Sequence, residues 1–320
     1  MTGVTSRVTL AVTLAALAFS APAALSQSEP RFYVTHVAST LVDDGLATAA
    51  PAGAEAAAFE TVPAPGVQLR PDEARATSTP WIDSNVWRFQ RGTQKVHYAS
   101  LPEGAAPLAA AEAFVFDVNA VLDPDPADVE ELRQMLRFLA AEDRPRLPVM
   151  ANIGVVDHPS PLFSEVLNLL SRRNLLYRVV PAPDPALDLT VRLGTEDFPL
   201  EAAADPSAFA ARVRTRLGDD KRLVRLYGGA STVIAHLTGE RARARLYLLN
   251  YGRTREPRGA GNPQAIRVRV LGRYQPTRFT GYRAAPQAML TDIEHPEGAT
   301  TEFWVPDFAT LAIIDLDPMK

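Results

Sequence analysis

From residue 107 to residue 217 the chain reads as helical segments separated by short apolar runs. Pro107–Phe116 (PLAAAEAFVF) has a proline where a helix's first turn tolerates a missing N–H. Val118–Leu122 follows at strand length. Asp128 and Glu131 form a D-x-x-E capping pattern ahead of Val129, Leu132, Leu136 and Leu139, which recur at helical spacing to about Glu142. LPVMANIGVV (147–156) predicts a buried strand. Ser160 and Pro161 then open a helix to Arg172 that turns Phe163, Val166, Leu167 and Leu170 inward. Leu175–Val180 and Leu187–Leu193 predict strands, and Asp205–Pro206 opens a helix to about Leu217. Helices alternating with short strands predict an α/β arrangement with a mainly parallel sheet.

Beyond Asp219–Asp220 the helical spacing stops. Segments 222–227, 232–237, 243–251, 266–271, 301–305 and 311–316 alternate or run apolar at strand length, between Gly- and Pro-rich stretches. This is the pattern of a small antiparallel β-sandwich. Upstream, residues 31–42 predict one strand. Residues 43–79, rich in Ala, Pro, Gly and Glu, read as a loosely held arm with one short strand at Val67–Leu69, since they offer little apolar area against ordering entropy.

The first 26 residues have the order of a secretory leader: one early positive charge (Arg7), an apolar stretch from Val8 to Phe19, and small residues before a cut near Ser26. The expected organisation is therefore a signal peptide over 1–26, a strand and arm over 27–79, an α/β domain over 80–220 and a β-sandwich domain over 221–320. Secretion to the periplasm or medium follows, with no membrane span in the mature chain, because the apolar stretch falls short of the roughly 20 residues a span needs.

Composition narrows the chemistry. The 320 residues contain no cysteine, which excludes disulfides, thiol nucleophiles and Cys-ligated metals. The five histidines stand apart from one another, so no metal site is expected, and no cofactor motif is present. The net charge is −4, and losing the leader with its single Arg7 makes it −5. Nucleic acid is a poor partner for such a chain.

The richest stretch is PWIDSNVWRFQRG (80–92). Trp81 and Trp87 suit stacking on sugar rings, while Asn85, Arg88 and Arg91 suit hydroxyl contacts. The competing reading packs both indoles into the core and pairs Asp83 with an arginine. Glycoside hydrolysis needs two carboxyl groups at a set separation, and Asp83, Glu112 and Asp157 are the candidates. Glu112 stands in an Ala-rich helix where burial would raise its pKa as a general acid requires; an ordinary surface or ion-paired Glu is the alternative. Asn152, Asp157 and His158 flank a strand that leads into a helix, where α/β proteins bind ligands, and loop capping accounts for them equally.

PWIDSNVWRF resembles a motif of uncharacterised secreted bacterial proteins assigned to barrel-type glycoside hydrolases. SPLFSEVLNLLSRRNLLYRVV, RLVRLYGGASTVIAHL and ARLYLLNYG are similar to the rear of family 42 β-galactosidases, in which an amidotransferase-like layer and a small β domain follow a catalytic barrel. The resemblance runs from residue 80 to the end. It implies an oligo- or polysaccharide partner and a glycoside-hydrolase-like scaffold, either barrel-like and reduced or three-layered. A complete (β/α)8 barrel takes about 250 residues, and residues 80–220 supply far fewer. Two readings therefore stay open: a glycoside hydrolase using Asp83 with Glu112 or Asp157, or a non-catalytic glycan-binding or envelope protein that keeps the scaffold alone. No family catalytic glutamate maps onto a residue here, and the oligomeric state is undetermined.

Overall fold

The computed structural model describes residues 32–72, 77–142, 144–240, 243–252, 266–296 and 299–319; the leader and its cleavage site lie outside them. The chain forms α/β layers with parallel sheets, followed by an antiparallel β-sandwich. The parallel strands do not close into a ring. They form two open sheets. The first has five strands in the order Thr48–Ala49, Phe32–Val34, Asn119–Leu122, Lys95–Tyr98, Glu60–Val62, all parallel. The second has three, with Ile153–Val156 between Leu189–Val191 and Tyr177–Val180.

The arm is ordered differently from the sequence expectation. Residues 43–79 supply both edge strands of the first sheet, and Gly66–Asp72 pairs with Thr77–Asp83 as a hairpin. Edge strands of two or three residues need little apolar area. Phe59 and Val62 are the buried anchors of the far edge. Lys95–Tyr98 (KVHY) is too short and too polar to read as a strand, yet it pairs on both sides in the middle of the sheet.

The helices form where their spacing predicts: Ala106–Val115, Val129–Ala140, Leu162–Arg172 and Pro206–Leu217. Asp205 caps the last by accepting from Ala208 N at 3.0 Å. Asp128 is the exception. It does not cap its own helix; it reaches back to accept from Gly104 N at 2.7 Å and Ala106 N at 3.3 Å, capping the preceding helix. The Ala106–Val115 helix needs this external acceptor because nine of its ten residues are buried and its first N–H groups cannot reach water. The predicted strand at 147–156 shortens to Ile153–Val156 for a related reason: Pro148–Met150 instead line the sandwich edge.

The sandwich packs Val224–Gly228, Ile266–Leu271, Thr300–Val305 and Thr291–Glu294 against a second sheet. That sheet runs Val233–Glu240, Arg243–Asn250, Leu311–Pro318, Tyr274–Gly281. Tyr274–Gly281 (YQPTRFTG) escapes a sequence reading because of Pro276. As an edge strand with a register shift at Pro276/Arg278 it accommodates the missing N–H. The second sheet is buried on both faces. Ala244, Leu246 and Leu248 point into the sandwich, while Tyr247, Leu249 and Tyr251 join the core of the α/β layers. That double burial explains why these strands run apolar rather than alternate.

The exposed edge of this sheet is closed by two devices. Met150 N donates to Leu237 O and Gly239 N to Pro148 O, at 2.9 and 2.7 Å. Asn174, which ends the Leu162–Arg172 helix at φ 52°, accepts from Ala235 N at 2.7 Å and donates to Val233 O at 3.2 Å. Asparagine combines tolerance of left-handed backbone with a side chain that mimics a strand's hydrogen bonds.

Asn174 therefore generates a paired prediction. Asn174→Gly keeps the backbone freedom but orphans the Ala235 N–H, and is expected to lower unfolding stability by about 2 kcal/mol. Asn174→Ala adds left-handed strain of about 1 kcal/mol more. Urea unfolding curves measure both, and equal stability of Asn174→Gly and the parent would dismiss the edge-closing role.

Candidate functional site

Five of the nine buried residues of helix Ala106–Val115 are alanine, which lets neighbouring backbones approach closely. Into this packing it carries Glu112, 0% exposed. Oε1 accepts from Asn85 N at 2.9 Å and from Tyr251 OH at 2.7 Å; Oε2 accepts from Tyr98 OH at 2.8 Å and Asn85 Nδ2 at 3.2 Å. Burial pushes the Glu112 carboxyl above its ordinary range, against the lowering effect of those four donors. Of the two sequence readings, the buried Glu112 holds and the surface or ion-paired one does not. The setting does not match a general acid, because both oxygens are filled by protein donors and no face meets solvent. Tyr98 and Tyr251 are also fully buried, and burial beside Glu112 raises both phenols far above their ordinary value.

The other nominated residues fall in three places. Asn85 belongs to the Glu112 cluster; it also donates to Pro63 O and accepts from Arg88 at 3.2 Å. A second group follows the seam where the short helix Val86–Gln90 meets Leu162–Arg172. Trp81 is half-buried with the Arg172 guanidinium 3.8 Å from its ring. Trp87 is half-buried against the core of the second sheet, with Arg88 4.1 Å above it. Arg91 pairs with Asp157 at 2.9 Å and lies over Phe163 at 5.3 Å. Arg172 and Phe163 stand at opposite ends of one helix of 11 residues, so the seam extends over about 15 Å. Asp83 is half-buried at the end of its strand, opposite Gly66, and His158 accepts from Ser160 N at 3.1 Å.

Asn152 is not part of this seam. It precedes strand Ile153–Val156 while Asp157 follows it, which separates them by roughly 16 Å of extended chain. Its Nδ2 donates to Asp188 at 2.8 Å and to Lys221 O at 2.7 Å, a structural tie. Among the described residues no group of three His, Asp or Glu side chains could hold a metal, and no helix is long and apolar enough to cross a membrane.

Sequence reasoning passed over a cleft of about 680 Å³ between the C-terminal end of helix Val129–Ala140 and the sandwich strand Arg243–Asn250. Its charged wall is Arg144, Arg146, Arg245 and Glu142. The R-P-R run at 144–146 was the available signal, and it carries meaning only once the sandwich is folded against it. An aromatic path leads from the seam towards this cleft. Phe89 meets Phe116 at 5.7 Å, Phe116 meets His236 at 4.5 Å, and His236 meets Tyr247 at 6.0 Å. His236 is fully buried, and burial together with the positive charge of Arg146 lowers its pKa to about 3.

No protein-family model matches the chain, and no curated protein matches it. Among solved structures it is similar to the apo exo-carrageenase GH42 from Bacteroides ovatus, at 8% identity and a TM-score of 0.31. That match covers 70% of this chain and 40% of the exo-carrageenase, so the chain spans well under half of that protein's length. A likeness this distant transfers no activity.

Two pH effects follow from the buried groups. Glu112 binds its proton more tightly folded than unfolded, so its contribution to stability falls as pH rises from its ordinary 4.5 towards the raised folded value. Glu112→Gln is expected to cost about 2 kcal/mol by setting an amide N–H₂ against Asn85. The deficit should be largest at the acid end and narrow as pH rises; a deficit that widens with pH would contradict the raised value. His236 has the opposite sign. Between 6.5 and about 3 the unfolded chain binds the proton and the folded one does not, so stability drops as pH falls. Thermal melts of His236→Phe should gain on the parent steadily through that interval, and parallel curves would show that His236 ionises in the fold.

Proposed function

We propose that this chain is an exported, carbohydrate-associated binding protein that uses a glycoside-hydrolase-like scaffold without catalysis. The observation that carries the non-catalytic part is Glu112: the carboxyl best suited by burial to be an acid is closed off by four protein donors. Asp157 is committed to Arg91, and it lies on a different element from the Glu112 cluster. A hydrolase needs two carboxyl groups facing one bond about 5 to 10 Å apart, and Glu112 cannot face any substrate.

The carbohydrate part is supported by the seam. Two half-buried indoles, each with a guanidinium on its ring, lie along one helix with Arg91 and Asp157 at the far end. Aromatic surface rimmed by charged hydrogen-bonding groups suits the apolar face and polar edge of a sugar ring. Export rests on the n/h/c order of the first 26 residues.

The test is calorimetric titration of the purified protein with a panel of neutral and acidic oligosaccharides, alongside a reducing-end assay. Binding without turnover is expected. Trp81→Ala and Trp87→Ala should each weaken binding about tenfold, the scale of truncating one aromatic side chain on a binding surface. Turnover that disappears in Asp83→Asn or Asp157→Asn would overturn the non-catalytic reading, and a panel with no binder would overturn the carbohydrate reading.

A further inference from the structure

The cleft beside helix Val129–Ala140 has a lining of two chemical kinds. One is apolar, from Phe32, Leu46, Phe114 and Leu136. The other carries the guanidiniums of Arg144, Arg146 and Arg245, whose side chains are only 17, 16 and 11% exposed. Three charges withdrawn this far from water need compensation. The protein supplies part of it. Asp315 pairs with Arg144 and, at 2.8 Å, with Arg245. Glu142 binds Arg278 at 2.8 Å and lies 3.6 Å from Arg144.

The remainder is short of acceptors. Arg144 Nη2 is buried and makes no hydrogen bond among the described residues. Arg146 reaches Asp117 only at 3.6 Å, beyond hydrogen-bond range, and otherwise rests on the Phe114 ring at 4.4 Å. Among the described residues the network contains Arg144, Arg146, Arg245 and Arg278 against Asp117, Glu142 and Asp315, a surplus of one positive charge. Burial also raises the Glu142 carboxyl, which weakens its share of the compensation.

We propose that this cleft binds a small amphipathic carboxylate, its head between Arg144 and Arg146 and its apolar body along Phe114 and Leu136. A monoanion meets less repulsion from Glu142 and Asp315 than a dianion would. The planar guanidinium fork suits a carboxylate, and a volume of about 680 Å³ is in the range of small-molecule sites. The apolar wall offers few hydroxyl partners, which separates this ligand class from the neutral sugars considered for the seam. The proposal does not depend on that reading.

The probe is 4-phenylbutyrate, compared with the uncharged 4-phenylbutanol, titrated calorimetrically into the purified protein. The acid should bind and raise the melting temperature, and the alcohol should bind at least about tenfold more weakly, the scale of a missing charged hydrogen bond. Arg146→Gln removes the least committed guanidinium. Ala140→Trp fills the exposed rim of the cleft and replaces none of the ion-paired residues. Each should weaken the acid about tenfold or more, while Trp87→Ala in the seam leaves it unchanged. Equal binding of acid and alcohol, no binding of the acid, or unchanged affinity in Ala140→Trp with a native melting curve would overturn the proposal.

Discussion

Glu112 is the point on which the assembly of layers turns. Its two oxygens collect donors from the loop ahead of Val86–Gln90, from the end of the inner strand Lys95–Tyr98, and from Tyr251 beyond the last residue of a sandwich strand. A carboxyl group buried among alanines would be strongly unfavourable alone. Here it is tolerable only while all three elements hold their places. The interaction therefore acts less as a source of stability than as a registration device: displacing any one element strands a buried polar group. Buried polar networks of this kind are unforgiving when partly satisfied.

That constraint explains the double burial of the sandwich sheet. Tyr251 reaches Glu112 only if the face bearing Tyr247, Leu249 and Tyr251 lies against the α/β core. The opposite face, with Leu246 and Leu248, is then left to close the sandwich. The edge of the same sheet needs closing as well, and Asn174 and the 148–150 linker do so from the other α/β sheet. The two parallel sheets thus engage the sandwich by different means, one through a buried carboxyl and one through strand-like hydrogen bonds.

Much of this was legible in the sequence where spacing alone decides the outcome. The helices at 106–115, 129–140, 162–172 and 206–217 follow from apolar period, first-turn prolines and the Asp205 cap, and the strands at 243–250 and 311–318 from apolar runs. What escaped depended on distant partners. Thr48–Ala49 and Glu60–Val62 are strands only because the sheet offers them edges, and Pro276 is allowed only because its strand is one. Asp128 matched a local capping pattern but found better-placed N–H groups at Gly104 and Ala106. The site shows the same division. The alanine surroundings of Glu112 left open whether it is buried or an ordinary surface Glu; its two tyrosine donors, 14 positions upstream and 139 downstream, were not legible at all.

The distribution of charge across the junction follows from the same physics. At its centre sit Glu112 and His236, both fully buried and both driven by burial towards the neutral form. At its margin sit Arg144, Arg245, Glu142 and Asp315, held to one another in ion pairs. A junction between two preformed layers can exclude water from its middle only if nothing there must stay charged. Arg146 stands at the boundary between these regimes, with one side on the Phe114 ring and its charge felt at His236. Among the described residues the carboxylate it pairs with, Asp117, is beyond hydrogen-bond reach. Full compensation by another acidic side chain would have extended the ionised margin further inward, towards the neutral centre. The incompletely paired Arg146 is therefore the point of this junction where an added anion would gain most.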